Sequence, residues 1–210
     1  MVQDFRSYHH ASLDFEHRLI ALTGENGAGK TNLLEALSLF TPGRGLRRIE
    51  LGDMVRHGAN SGFSLSLSLE NSDGDSCRLG TGYEPAGSET PGRRCRIDGV
   101  SVPSAAAFAD HVRLVWLTPA FDGLFAGPAG DRRRFLDRLV LAVNPDHASH
   151  VSALERALRS RNKLLEHDRP DETWLDAVER EIAETGVAVA AARRETLARL
   201  AALILESRDD

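Results

Sequence analysis

Cysteine is scarce: Cys77 and Cys95 are the only two in 210 residues. A pair that small argues against a disulfide framework and fits reduced thiols in a cytoplasmic protein, where each acts as a small core hydrophobe. Aromatic residues make up 6% of the chain, too few beside its basic clusters to suggest base stacking on a single strand. No uninterrupted apolar run approaches the ~18 residues of a membrane helix. The opening, MVQDFRSYHHASLDF, lacks the basic and apolar regions of a signal peptide. There is also no net positive charge. The formal value is -5, which excludes clinging to nucleic acid by bulk charge and leaves only a local basic face. The expectation is a cytoplasmic protein with no membrane partner.

What is present is a soluble globular balance, 41% hydrophobic and 27% charged. DFRSYHHASLDF and RLIALTG read as two strands joined by a turn, and Leu19–Thr23 suits a strand buried on both faces. Asn32–Phe40 has a helical pattern in Leu33, Leu34, Leu37 and Phe40, stopped by Pro42-Gly43. FSLSLSLE alternates, with Phe63, Leu65, Leu67 and Leu69 on one side and Ser64, Ser66 and Ser68 on the other. Asp73-Gly74 and Asp98-Gly99 mark turns, so residues 63–102 form an antiparallel patch around the Gly/Pro-rich loop GYEPAGSETPG. Val112–Leu117 reads as a further strand. From Asp131 the pattern becomes helical, over Asp131–Val143, His147–Glu166 and Thr173–Glu206, with Pro145 and Pro170 as breaks. The last two segments should form an antiparallel helical hairpin.

GENGAGKT, Gly24–Thr31, matches G-x-x-x-x-G-K-[ST] at every fixed position, after an expected strand and at the start of an expected helix. Gly24, Gly27 and Gly29 permit backbone angles that let successive N–H groups of Glu25, Asn26, Gly27 and Ala28 line one concavity. Lys30 supplies charge for the β- and γ-phosphates, Thr31 offers a hydroxyl to Mg²⁺, and the helix start points its positive end inward. A GTPase should add N-K-x-D. NKLLEHD, Asn162–Asp168, has the wrong spacing, and no second phosphate-bearing substrate is signalled for a metabolite kinase.

GENGAGKTNLLEALSLFTPGRGLRR, with DFRSY before it and WLTPAFDGLFAGPAGDRRRFLDRLVLAVNPDHASHVSALERALRSRNKLL after it, resembles the RecF DNA replication and repair family. That family is similar to SMC and ABC-type ATPase heads. The resemblance implies an α/β P-loop head lobe with an antiparallel β patch over residues 1–130, plus an α-helical arm over 131–210. It implies ATP and Mg²⁺ as cofactors and binding at single-stranded or gapped DNA. It also implies RecR and RecO as partners in loading RecA during recombinational repair and the SOS response, and an ATP-dependent homodimer. Arg6 either sits near the phosphates, as similar residues do in SMC-type heads, or is a surface arginine after a strand. Ala120 stands where relatives carry a polar side chain that senses the γ-phosphate. An acidic Walker B strand, a signature motif and a D-loop are absent. LVLAVNPD, Leu139–Asp146, imitates Walker B but lies in a helical pattern and reads as core. The expectation is the N-terminal portion of such a protein, binding ATP without turnover. The rival readings are a non-catalytic interaction module working through its arm, and another SMC/ABC-type head.

Four basic clusters remain: Arg44, Arg47, Arg48; Arg93, Arg94, Arg96; Arg132, Arg133, Arg134, Arg138; and Arg156, Arg159, Arg161, Lys163. Each either meets a phosphate backbone or is a solvated face balanced by acids. His147 and His150, one turn apart beside Asp146, are weak evidence for a metal.

Overall fold

A computed structural model describes residues 1–59, 61–70, 74–88, 91–167 and 171–207. The chain divides into two compact units, Met1–Trp116 and Leu117–Asp210.

The first unit is built on one antiparallel sheet of six strands: β1 (Val2–Phe5), β2 (Tyr8–Ala11), β3 (Phe63–Glu70), β4 (Ser76–Glu84), β5 (Gly92–Ile97) and β6 (Val100–Val102), in the order β2-β1-β3-β4-β5-β6. Alternation in β3 works as expected. Phe63 and Leu65 are buried while Ser64 and Ser68 face solvent. The β5–β6 turn is Asp98-Gly99, and both residues have positive φ, 48° and 83°, as a two-residue hairpin loop with matching twist requires. The other expected turn, Asp73-Gly74, lies partly outside the described residues. Gly82, Tyr83 and Glu84 belong to β4 rather than to the loop, in which Glu89 and Thr90 are likewise outside the description.

One helix, α1 (Lys30–Ser38), packs on the apolar face of this sheet. Its inward side is Leu33 and Ala36, continued by Leu39 and Phe40, and it includes Glu35 and Ser38. Leu34, expected on that side, is half exposed, because the sheet takes the stripe one residue round. Phe5 meets Phe63 edge to face with centroids 5.0 Å apart, and Phe40 lies 5.8 Å from Phe108, so aromatic pairs tie sheet, helix and the 3₁₀ turn Ala105–Asp110 into one core.

Three strand expectations change. Val2–Ala11 is a tight hairpin, β1–β2, rather than one strand over Asp4–Phe15; the chain reverses at Arg6-Ser7, and Asp4 and Arg6 adopt positive φ of 49° and 53°. Leu19–Thr23 and Val112–Leu117 belong to no strand, with Leu19 93% and Leu117 74% exposed. A strand buried on both faces needs hydrogen-bonded neighbours on both edges, and the six-stranded ladder places none beside them.

The second unit holds α2 (Ala129–Leu141), α3 (His147–Leu165) and α4 (Glu172–Glu206). The antiparallel hairpin of α3 and α4 forms as its periodicity predicts, with Leu154 of α3 beside Gly186 of α4 and Arg161 paired to Glu179 at 2.8 Å. Asp171 caps α4 by accepting from the Trp174 N–H at 3.0 Å. The buried stripe of α4 is narrower than expected. Val178 and Val189 are buried, while Trp174, Leu197 and Ile204 are exposed. Pro170 lies outside the described residues. Val140, in the Walker B imitation, is fully buried, as a core residue should be. No described helix is long and apolar enough to cross a membrane.

Asp137 of α2 ties all three helices together. It accepts two hydrogen bonds from Arg193 of α4, both at 2.8 Å, and pairs with His147 Nε2 of α3 at 2.8 Å. His147 is only 1% exposed, and its Nδ1 is buried with no hydrogen-bond partner. That leaves Nε2 as the ring nitrogen carrying hydrogen toward the carboxylate. His147 is thus spent on Asp137, and no group of three metal-ligating side chains occurs among the described residues.

Candidate functional site

The loop from Gly24 to Thr31 has the backbone its glycines predict. Gly24, Gly27 and Gly29 lie at φ 142°, 90° and 95°. A short turn closes inside it, Ala28 N–H donating to the Glu25 carbonyl at 3.2 Å. Gly29 is the N-cap of α1, and no side chain caps the helix start. The first N–H groups of α1 are thus left for another acceptor, at the positive end of the helix dipole. Glu25, Asn26, Gly27 and Ala28 are exposed around this mouth, and Thr31 presents its side chain to solvent in the first turn. The Lys30 ammonium lies across the loop, donating to the carbonyls of Gly24 at 2.7 Å and Glu25 at 2.8 Å. A lysine has three N–H donors, so one remains.

Gly29 is irreplaceable on two counts. A Cβ there would stand 2.7 Å from Tyr8 Oη and 3.0 Å from Ser7 Oγ, while at Gly27 it would meet nothing within 4 Å. Gly29→Ala should therefore destabilise the chain by ~1–2 kcal/mol more than Gly27→Ala, which carries only the backbone strain. Urea unfolding of the two variants gives the difference directly.

That close approach means the β1–β2 hairpin forms a wall of the loop. Arg6 at its tip is neither a free surface arginine nor open to a ligand. Its Nε and Nη2 donate to Glu35 of α1 at 2.9 and 2.8 Å, and its Nη1 to the Asp53 carbonyl at 2.9 Å. Glu35 is 0% exposed. Arg47 adds a third donor to it at 3.2 Å and reaches Asn32 at 3.3 Å, while Asn32 donates to Ser7 at 3.0 Å. At the hairpin's base, the Arg56 guanidinium, with Gln3 and His9, holds the Asp4 carboxyl well below the usual carboxylate range. Sequence reasoning missed Glu35, and it placed Arg47 among the basic clusters without seeing this partner. The one available signal was a glutamate within the buried face of a short helix. Ala120 sits exposed on the 3₁₀ turn Pro119–Phe121 in the second unit.

The basic clusters are mostly engaged. Arg44 pairs with Glu50, Arg94 with Glu84, Arg134 with Asp131, Arg159 with Glu155 and Arg161 with Glu179. Arg132 donates to the carbonyls of Phe125 and Gly127, and Arg138 stands 5.7 Å from the Phe121 ring centroid. Arg93 is turned inward. It donates to the carbonyls of Gly43 at 2.7 Å and Leu39, at the C-terminal end of α1, and to Thr81 Oγ1 at 3.2 Å. Arg96, Arg133, Arg156 and Lys163 stay exposed.

The residues present fit a nucleotide phosphate chain: three glycines in open conformations, an uncapped helix start, a lysine at the loop and a hydroxyl in the first turn. They fit Mg²⁺ through Thr31, an ion that commonly takes one or two protein groups and completes its shell with phosphates and water.

Comparison with known proteins agrees. A sequence profile of the AAA domain matches residues 1–93. The DNA replication and repair protein RecF of Rhizobium leguminosarum bv. trifolii is 53% identical over 206 residues, 98% of this chain and 54% of that protein. RecF of Rhizobium meliloti is 50% identical over 209 residues, 100% of this chain and 55% of that protein. The chain spans about half the length of these curated relatives. Among solved structures, the recombination mediator protein RecF with ATPrS, described within the RecFOR pathway, superposes with a TM-score of 0.84 at 22% identity, over 95% of this chain and 53% of that one. RecF with ATP gives 0.82 at the same identity. In sequence, then, the chain is similar to about half of these RecF proteins, and in fold to the matched half of the solved ones.

Proposed function

We propose that Gly24–Thr31 binds ATP with Mg²⁺, and that the chain is the N-terminal portion of a RecF-type DNA repair protein, with a head portion in 1–130 and an arm in 131–210. The observation that supports this best is the loop itself: left-handed Gly27 and Gly29 leading into an uncapped α1, with Lys30 laid across the mouth. The N–H groups at the start of α1 hold phosphate oxygens. Lys30 turns its ammonium from the Gly24 and Glu25 carbonyls toward the β- and γ-phosphates. Thr31 gives its hydroxyl to the metal, which neutralises phosphate charge when bound. Phosphoryl transfer to water also needs an acidic group on the metal and a positioned water. The sequence offers no Walker B carboxylates, so this chain binds nucleotide without turning it over.

The wider role in this reading is action at single-stranded or gapped DNA, with RecR- and RecO-type partners in RecA loading and an ATP-dependent pairing of heads. The exposed cations Arg48, Arg96, Arg133, Arg156 and Lys163 are among the side chains available to a phosphate backbone, so binding should be salt-sensitive and sequence-blind. The test of the core reading is thermal stability against ATP-Mg²⁺. The wild-type chain should gain melting temperature with ligand. Lys30→Ala, losing a charged contact of ~1.5–3 kcal/mol, should need ten- to a hundredfold more nucleotide for the same rise. An equal rise in both, or none in the wild type, would sink the proposal.

A further inference from the structure

Glu35 has no part in holding phosphate, yet it is the most heavily engaged buried charge beside the loop. Both of its oxygens are taken, by Arg6 Nη2 and by Arg6 Nε and Arg47 Nη1. A carboxylate with no solvent access survives only when matched in this way.

What it matches is a strained element. Arg6 is a non-glycine residue at φ 53°, a conformation that side chains other than glycine resist. Two contacts hold it there besides Glu35: its N–H on the Met54 carbonyl at 2.8 Å and its Nη1 on the Asp53 carbonyl. The same tip carries Ser7 and Tyr8, the atoms against which Gly29 is packed. Ser7 accepts from Asn32, Asn32 accepts from Arg47, and Arg47 returns to Glu35. A closed polar ring thus runs from the hairpin tip through the first turn of α1 and back, with Glu35 as its one anion.

We infer that Glu35 is a positioning residue for the phosphate loop. Its charge clamps the β1–β2 hairpin onto α1 and thereby sets where the first N–H groups of that helix stand. The inference rests on the reading of Gly24–Thr31 as a nucleotide site, but its mechanical half can be tested apart from it. Sites of this kind need their donors held to a fraction of an ångström, which explains a buried ion pair at a place where an apolar side chain would fill the space equally well.

The experiment uses the full 210-residue chain with Glu35→Gln, Arg6→Lys and Arg47→Ala. Amide exchange is followed at Arg6, bonded to Met54, at Leu33, bonded to Gly29, and along the β3–β4 ladder. ATP-Mg²⁺ is titrated well below each melting temperature. In Glu35→Gln the Arg6 and Leu33 amides should exchange faster while the ladder is unchanged, and nucleotide affinity should fall about tenfold or more. Arg47→Ala should move the same amides less. Exchange that rises equally in the ladder would show general loosening and overturn the inference. So would a folded variant with unaltered Leu33 exchange and affinity. If Glu35→Gln does not fold, Arg6→Lys and Arg47→Ala decide by the same criteria. A wild-type chain that takes no ATP, with local exchange still responding to Glu35→Gln, would refute the nucleotide site and leave the clamp standing.

Discussion

Replacing Arg93 with alanine should destabilise the first unit by about 3 kcal/mol and lower its melting temperature by roughly 10 °C. The side chain reaches from β5 to the C-terminal end of α1, where helix carbonyls run out of intrahelical partners. Its guanidinium takes the Leu39 carbonyl and, at 2.7 Å, that of Gly43. Burial pushes its pKa down from the ordinary arginine value, but the cation is kept by these acceptors and sits where the helix dipole is negative. Alanine would leave the carbonyl of buried Leu39 without this donor, which costs more than the loss of the bond itself. Arg93→Lys should recover only part of the loss, because one ammonium cannot reproduce the planar fork. Circular dichroism melts of the three proteins check both statements. A change under 1 kcal/mol for alanine would mean that water takes over the carbonyls.

The second large effect belongs to Asp137. At neutral pH, Asp137→Asn should cost about 2–3 kcal/mol, near the low end for a broken ion pair because this one reaches solvent. It leaves Arg193 uncompensated and weakens the hydrogen bond that the buried His147 ring makes to position 137. The pH dependence has a definite sign. Burial alone would raise the Asp137 pKa, but the bonds from His147 and Arg193 outweigh it and hold the carboxyl below its ordinary 3.8. A depressed folded-state pKa favours the ionised form on folding. Its stabilisation is complete above the unfolded value and is lost as pH falls through the folded one. The part of the stability gap between wild type and Asp137→Asn that comes from the Asp137 charge should therefore shrink as pH falls below about 4. Urea unfolding above and below that pH measures it, and a gap that widened on acidification would contradict the assignment.

Local chemistry was legible in the sequence; long-range pairing was not. The phosphate loop was readable because its glycines, Lys30 and Thr31 act within one turn of chain. The β3 strand and the α3–α4 hairpin were readable because alternation and helical spacing report burial directly. The β1–β2 hairpin was hidden because its reversal at Arg6-Ser7 has Arg6 in left-handed backbone, without the glycine or proline that announces a turn. Leu19–Thr23 and Val112–Leu117 were misread because a short apolar run reports affinity for a neighbour and not the neighbour's presence. Arg6–Glu35 and Arg93–Gly43 span 29 and 50 residues of sequence. Nothing in either segment names the other, so Arg93 reads from the sequence only as one of a basic cluster, and Arg6 is singled out only by the resemblance.

The bonds of Lys30 to Gly24 and Glu25 have a calorimetric consequence. An incoming anion does not meet a bare ammonium. It displaces two carbonyls already holding it, so the heat released on association is a difference between two charge-assisted sets rather than the whole of the new one. Affinity must then draw more heavily on the backbone N–H groups of α1, which no side chain caps and which exchange only water for the anion. The lysine contributes discrimination, since only a ligand with enough negative charge at the far end of its phosphate chain draws it across.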